Sequence, residues 1–272
     1  MKEYIKINKK RWEELATIHF KSEFYNVEKF KEGGISISDL EINEVGDVKG
    51  KKLLHLQCHF GKDTLSWARL GAHVTGVDFS SRAIELARQL SAEIGIEATF
   101  IQSDIYDLDR TSLKQNCFDI VFTSNGAIYW LPDLKKWAQF ISHFLKLGGF
   151  FYILDSHPTG NIFDDECEND LIVRYPYFHQ EKPLEFDEEG SYADERTKLT
   201  NTKEYGWAHD MGSIVNSLIE AGLRIDFVHE YPFVAWKMLP FLEQKGDGWW
   251  HLPERFQQVP LTFSLKATKN SV

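Results

Sequence analysis

An α/β fold built on a parallel sheet is predicted by three features of this sequence. Short apolar runs of strand length recur between residues 53 and 154. Stretches with apolar residues at helical spacing separate them. Glycines punctuate the junctions, at Gly61, Gly71 and Gly148-Gly149. Strands that alternate with helices need crossover connections, and right-handed crossovers cover both sheet faces in a doubly wound domain.

Each element follows from its residues. Trp12, Leu15, Ala16 and His19 stand at helical spacing and predict a short amphipathic helix over 9–20. Residues 21–50 contain Gly33-Gly34 and Gly46, which interrupt any long element, so 1–50 reads as an N-terminal helical cap segment. Leu53 to Gln57 is a first strand, with a loop closing on Gly61 and a helix from Lys62 to Leu70. His73 to Asp78 is a second strand, and Ser80 or Ser81 can cap a helix whose inner face is Ala83, Ile84, Ala87 and Leu90. Ala98 to Gln102 and Phe118 to Thr123 are the next strands. Leu134, Trp137, Ile141, Phe144 and Leu145 predict a helix ending at Gly148-Gly149, before a fifth strand at Phe150 to Leu154.

The rhythm breaks over about 156–208, an acidic and aromatic stretch too long for an ordinary connection, which reads as an insertion or lid. A helix at Met211 to Leu218, a strand at Leu223 to Tyr231 and a last strand at Pro260 to Thr268 complete the main domain, 51–272.

The 272 residues carry 31 Lys+Arg against 41 Asp+Glu, a formal net charge of −10. Such a surface repels phosphates, which argues against nucleic acid and anionic membranes as partners. Cys58, Cys117 and Cys167 form no CxxC pair, and no histidine pair has metal-ligand spacing, so neither a disulfide framework nor a metal site is expected. Without an apolar run long enough to span a bilayer, the expected setting is soluble and cytoplasmic. The oligomeric state is not legible.

In open α/β sheets, ligands bind beyond the carboxyl ends of the strands. Four such ends hold polar groups: the loop from His55 through Gln57 to Gly61, then Asp78, then Asp104-Ile105, then Asn125. An acidic residue ending the second strand suits ribose hydroxyls. Each has a plainer reading alone: Asp78 as a turn or cap residue, Gly61 as a turn glycine, Asp104 as a loop cap. Their order and spacing together point to one nucleoside-sized crevice.

That order, and the segment LLHLQCHFGKDTLSWARLGAHVTGVDFSSRAIELARQL, resembles the class I S-adenosylmethionine-dependent methyltransferases, most closely a bacterial branch, over about residues 51–155. The resemblance implies a seven-stranded Rossmann-like sheet with a reversed C-terminal strand and S-adenosylmethionine as cofactor; the acidic charge speaks against a large nucleic acid, so a small-molecule methyl acceptor is expected first and a protein side chain second. It also implies that Asp78, with Phe79 beside it, binds the ribose, that Asp104 and Ile105 hold the adenine, and that the Gln57–Gly61 loop passes under the methionine. The family's first motif is acidic-x-Gly-x-Gly-x-Gly, and here His55, Gln57 and His59 replace all but Gly61. His55 is either a contact to the methionine or a core histidine with a satisfied partner. Asn125 lines the reacting face, and Tyr25, Tyr129, Trp130 and His157 are the candidate acceptor-side residues. Rival readings are a nicotinamide-dependent oxidoreductase, which would want GxGxxG at the first turn, and a non-catalytic nucleotide-binding protein.

Overall fold

A computed structural model describes residues 2–111, 113–194 and 196–270. Its elements are α1 (Lys2–Lys21), α2 (Val27–Lys31), α3 (Asp39–Val45), β1 (Lys52–Leu56), α4 (Lys62–Arg69), β2 (His73–Asp78), α5 (Ser81–Glu93) and β3 (Thr99–Gln102). They continue with β4 (Phe118–Ser124), α6 (Leu134–Phe144), β5 (Leu145–Ser156), β6 (Leu184–Asp187), β7 (Lys203–Gly206), α7 (Met211–Glu220) and β8 (Leu223–Tyr231). Last come β9 (Phe233–Val234), β10 (Glu243–Gln244), β11 (Trp250–His251) and β12 (Thr262–Lys269).

The main sheet has seven strands in the order β3-β2-β1-β4-β5-β12-β8. β1 to β5 pair in parallel, and β12 runs antiparallel to both β5 and β8. This is the doubly wound, Rossmann-like arrangement expected from the sequence, with its reversed last strand. The strand order changes direction between β1 and β4, where such sheets open a crevice. Alternation along β1 divides the core between the faces. Leu54 and Leu56 pack with Trp137, Ile141 and Ile214 from α6 and α7, whereas Leu53 packs with Trp67 of α4 and Val45 of α3. No helix among the described residues is long and apolar enough to cross a membrane.

Helix starts follow local chemistry. Ser80 accepts from the Ala83 N–H at 3.0 Å and caps α5. Ser38 and Glu41 form a reciprocal capping box on α3, a signal present in the sequence that the glycine-based reading of 21–50 passed over.

Two boundaries differ from the sequence reading for tertiary reasons. The first helix begins at Lys2 rather than near residue 9, because its early turns pack on β7: Tyr4 lies 4.6 Å from Tyr205 between ring centroids, and the Asn8 amide pairs with both the N–H and C=O of Tyr205. The helix expected to reach Gly148 stops at Phe144, because Leu145 already pairs with Phe118 in the sheet. The 156–208 stretch contains the β6–β7 hairpin, and β9, β10 and β11 form a small sheet of two-residue strands too short to show periodicity.

Candidate active site

At the carboxyl ends of β1 to β4 lies a cleft of about 750 Å³, within the range of ligand sites. His55, Gln57, Gly61, Asp78, Phe79, Asp104, Ile105 and Asn125 all line it. So do Tyr25, Tyr129 and Trp130. His157 is not among the lining residues: its ring is buried, accepts from the Thr159 N–H at 3.0 Å, and faces the Glu230 carboxylate of β8 at 2.8 Å. His209 likewise points inward, its Nε2 2.7 Å from the Leu131 carbonyl.

The loop after β1 shows how a glycine motif can lose glycines. Gln57, His59 and Gly61 have φ of 58°, 51° and 75°, all in the left-handed region. The backbone thus keeps the path that alternate glycines would favour, at a cost of about 1–2 kcal/mol for each residue bearing a side chain. Both side chains recover interactions that offset this cost. The Gln57 amide donates to the Ala127 carbonyl at 2.8 Å, tying β1's loop to β4's loop. The His59 ring meets His19 of α1, with Nε2 and Nδ1 3.0 Å apart. Gly61 has no such latitude. A Cβ there would sit 2.6 Å from Cε1 of Phe100 and 3.0 Å from Ala87 Cβ.

Asp78 ends β2 with its carboxylate buried. Its Oδ2 accepts the His59 N–H at 2.8 Å and its Oδ1 the Ser80 N–H at 2.9 Å. Burial pushes this carboxyl up to about 6, despite those N–H donors. A carboxylate has about four acceptor positions, so one not taken by the His59, Phe79 and Ser80 N–H groups remains for a ligand. Asp104 uses Oδ1 to cap the turn at Tyr106, and burial raises its pKa as well. Gln57 Oε1 is buried without a hydrogen-bond partner. His55 is held between Thr64 Oγ1, 2.8 Å from Nδ1, and Ser124 Oγ, 3.4 Å from Nε2, and burial lowers its pKa to about 4. Both ring nitrogens are therefore engaged within the protein.

Several lining residues were not singled out from the sequence. Asp63, in the first turn of α4, accepts from Ser36 Oγ at 2.5 Å and Ser124 Oγ at 3.2 Å. An acid one residue into a helix that follows Gly61 is a readable signal, since it complements the helix dipole. Asn8, Trp12 and Glu204 reach the cleft only because α1 and β7 pack together, which no local pattern announces.

α1 is the piece that joins the parts. Glu13 accepts from the N–H groups of Ser81 and Arg82, at 2.8 and 2.7 Å, at the start of α5. Arg11 donates to the Glu188, Asn201 and Thr202 carbonyls at 2.7–3.2 Å and pairs with Glu204 at 2.7 Å. His19 is fully buried between His59 and the Ser191 hydroxyl, 3.0 Å from Nε2, and desolvation lowers its pKa to about 3. The Tyr25 and Tyr192 hydroxyls meet at the rim. The β4 loop is fixed from below by Asp155, which accepts the N–H groups of Gly126, Ala127 and Ile128 at 2.5–3.2 Å.

A family model described as "Methyltransferase domain" matches residues 47–208. The ubiquinone biosynthesis O-methyltransferase of Proteus mirabilis is 30% identical over 132 residues, 41% of this chain and 52% of that protein. The protein of the same name from Vibrio vulnificus is 30% identical over 127 residues, 46% of this chain and 53% of that one. The chain thus spans about half the length of the curated relatives it matches. Among solved structures, an S-adenosylmethionine dependent methyltransferase from Mesorhizobium loti superposes with a TM-score of 0.57 at 18% identity, over 82% of this chain and 93% of that one. A geranyl diphosphate C-methyltransferase from Streptomyces coelicolor, in complex with Mg²⁺, geranyl diphosphate and S-adenosyl-L-homocysteine, gives 0.54 at 12%, over 85% and 77%. These likenesses show the shared fold. With more than half of its length matched by the family model and the corresponding sheet in place, the chain belongs to the methyltransferase-domain family.

Proposed function

We propose that this chain transfers a methyl group from S-adenosylmethionine to a small-molecule acceptor. The observation that carries the reading is the convergence of the β1, β2, β3 and β4 ends on one cleft of about 750 Å³. The donor set suits the cofactor. Asp78 keeps an acceptor position for a ribose diol, Asp104 keeps one oxygen free of the Tyr106 cap, and Gln57 Oε1 is a buried acceptor in want of a donor, matching a methionine ammonium. The relatives' names and the S-adenosyl-L-homocysteine in a structural neighbour support the same reading.

When bound, the cofactor supplies a methyl group on a sulfonium, open to in-line attack by an acceptor atom. The chain's part is orientation and exclusion of water. Trp12, Tyr129, Trp130 and Trp236 line the same cleft as Asp78 and Asp104, and we assign the acceptor to this aromatic wall. The N-terminal segment 1–50 and the 156–208 insertion act as its cover, held together through Arg11 and His19. The setting we assign is the cytoplasm, in keeping with three free cysteines.

Calorimetry tests the reading. S-adenosylhomocysteine should bind and NAD should not. Binding of NAD alone would transfer the site to a different chemistry, and binding of neither would leave a non-catalytic member of the family.

A further inference from the structure

Gly206, the last residue of β7, faces the Tyr129 ring so closely that a Cβ built on it would fall inside the phenol. Tyr129 could accommodate one only by swinging its ring out of this place, since its backbone is fixed. Its turn is held by the Asp155 carboxylate, and its carbonyl accepts the Trp207 N–H at 2.8 Å. Trp130 lies edge-on to it with centroids 5.0 Å apart, and Trp130 is itself braced by Trp12 at 5.3 Å. The bare backbone at position 206 therefore decides where the phenol stands, and the phenol lines the cleft.

The charges around that phenol have one sign. Asp165, Glu188 and Glu204 line the cleft with Tyr129, and burial, together with these charges, holds its hydroxyl protonated. Arg11 balances Glu204, at 2.7 Å. Asp165 accepts only a neutral hydroxyl, that of Tyr175 at 2.7 Å, and neither Asp165 nor Glu188 has an ion pair among the described residues. The described cations that line the cleft are engaged elsewhere: Lys62 donates to the Tyr25 carbonyl and lies 5.6 Å from the Tyr25 ring, and Lys237 lies over the Trp250 ring at 5.7 Å. An anion entering here would lose its hydration without gaining a counter-charge, whereas a cation would gain carboxylates and ring faces.

We propose that Gly206 and Tyr129 act as one specificity-determining pair, seating a planar neutral or cationic acceptor against the phenol and turning away anionic ones. Tyr129 touches the acceptor, and Gly206 is a positioning residue that acts through it. The inference rests on the methyltransferase reading above.

The test uses the full chain saturated with S-adenosylhomocysteine and three probes that share a dihydroxyphenyl ring and carry no charge, a positive charge or a negative charge: catechol, dopamine and 3,4-dihydroxybenzoate. Calorimetry should show dopamine binding at least about tenfold more tightly than 3,4-dihydroxybenzoate, with catechol between them. Gly206→Ala should weaken catechol by about tenfold or more while leaving S-adenosylhomocysteine affinity within about twofold. The double variant Gly206→Ala/Tyr129→Ala should match Tyr129→Ala alone, because without the ring the added methyl has nothing to displace. Should Gly206→Ala fail to fold, Tyr129→Ala with the three probes, and refolding of the double variant, read the same coupling. Additive effects of the two substitutions, equal affinity for the anionic and cationic probes, or no binding of any probe to the loaded wild type would each overturn the proposal. Failure of S-adenosylhomocysteine itself to bind would instead overturn the cofactor assignment beneath it.

Discussion

Three residues of the β1–α4 loop share the left-handed conformation, yet only one of them should depend on being glycine. Consider Gly61→Ala. The new methyl would stand 2.6 and 2.7 Å from Cε1 and Cζ of Phe100 and 3.0 Å from Ala87 Cβ, at a φ of 75°. The conformation costs about 1–2 kcal/mol for an L-residue, and overpacking a rigid core adds about 1–3 kcal/mol. Phe100 is buried beneath α4 and α5 and has little room to yield. The sum is roughly 2–5 kcal/mol, or a fall in Tm of about 4–20 °C for a domain of this size. Gln57→Gly and His59→Gly work in the other direction. Gln57→Gly relieves the left-handed strain and loses about one hydrogen bond, to Ala127, so it should lie within about 1 kcal/mol of wild type, whereas His59→Gly also gives up its hydrogen bond to His19 and its ring contacts with Trp12, Tyr25 and Phe60 and should be the less stable of the two. Scanning calorimetry and urea unfolding on the three variants measure the contrast. A Gly61→Ala protein as stable as wild type, or a Gln57→Gly/His59→Gly protein that no longer folds, would refute the reasoning.

Other substitutions probe the rest of the site. Asp78→Ala should weaken S-adenosylhomocysteine by about 1–3 kcal/mol, the cost of unpaired hydroxyls in a buried place, and isothermal titration reads it directly. In the wild type, that affinity should fall as pH drops through about 6, where Asp78 takes up a proton and loses acceptor capacity. Arg11→Ala strips four carbonyls, those of Glu188, Gly190, Asn201 and Thr202, of a donor and leaves the Glu204 carboxylate without its partner, so the 188–204 segment should become the first site of proteolysis, at a cost of about 3–5 kcal/mol. Stability against pH should be nearly flat between about 4.5 and 6.5, because two sets of buried groups oppose each other. Asp78, Asp155 and Glu41 have carboxyls raised to about 6, 6 and 7, so their contribution is present at low pH and fades as pH rises through those values. His19, His55 and His209 are lowered to about 3, 4 and 4, and they penalise the fold as pH falls below the ordinary histidine value. Glu41→Gln removes one raised acid, so its chemical-denaturation stability should climb with pH across that window; a curve parallel to wild type would contradict the assignment.

The sequence by itself determined the sheet and the carboxylate positions. Alternation along Leu53–Leu56, the Ser80 cap and the spacing from Gly61 to Asp78 to Asp104 are local patterns, and local patterns survive in one dimension because neighbours in the chain produce them. The start of α1 at Lys2 was beyond that reach, since its first turns are held by Tyr205, which lies 197 residues beyond Asn8. The loop glycines show the division most clearly. In the sequence, Gln57 and His59 stand where the family motif has glycines; the structure keeps the backbone path and turns both side chains to Ala127 and His19. The fate of His157, drawn away to Glu230 on the edge strand, and the seating of Tyr129 by Gly206 are likewise tertiary decisions. They depend on which strands become neighbours, and that is settled by burial of the whole core rather than by any residue's own preference.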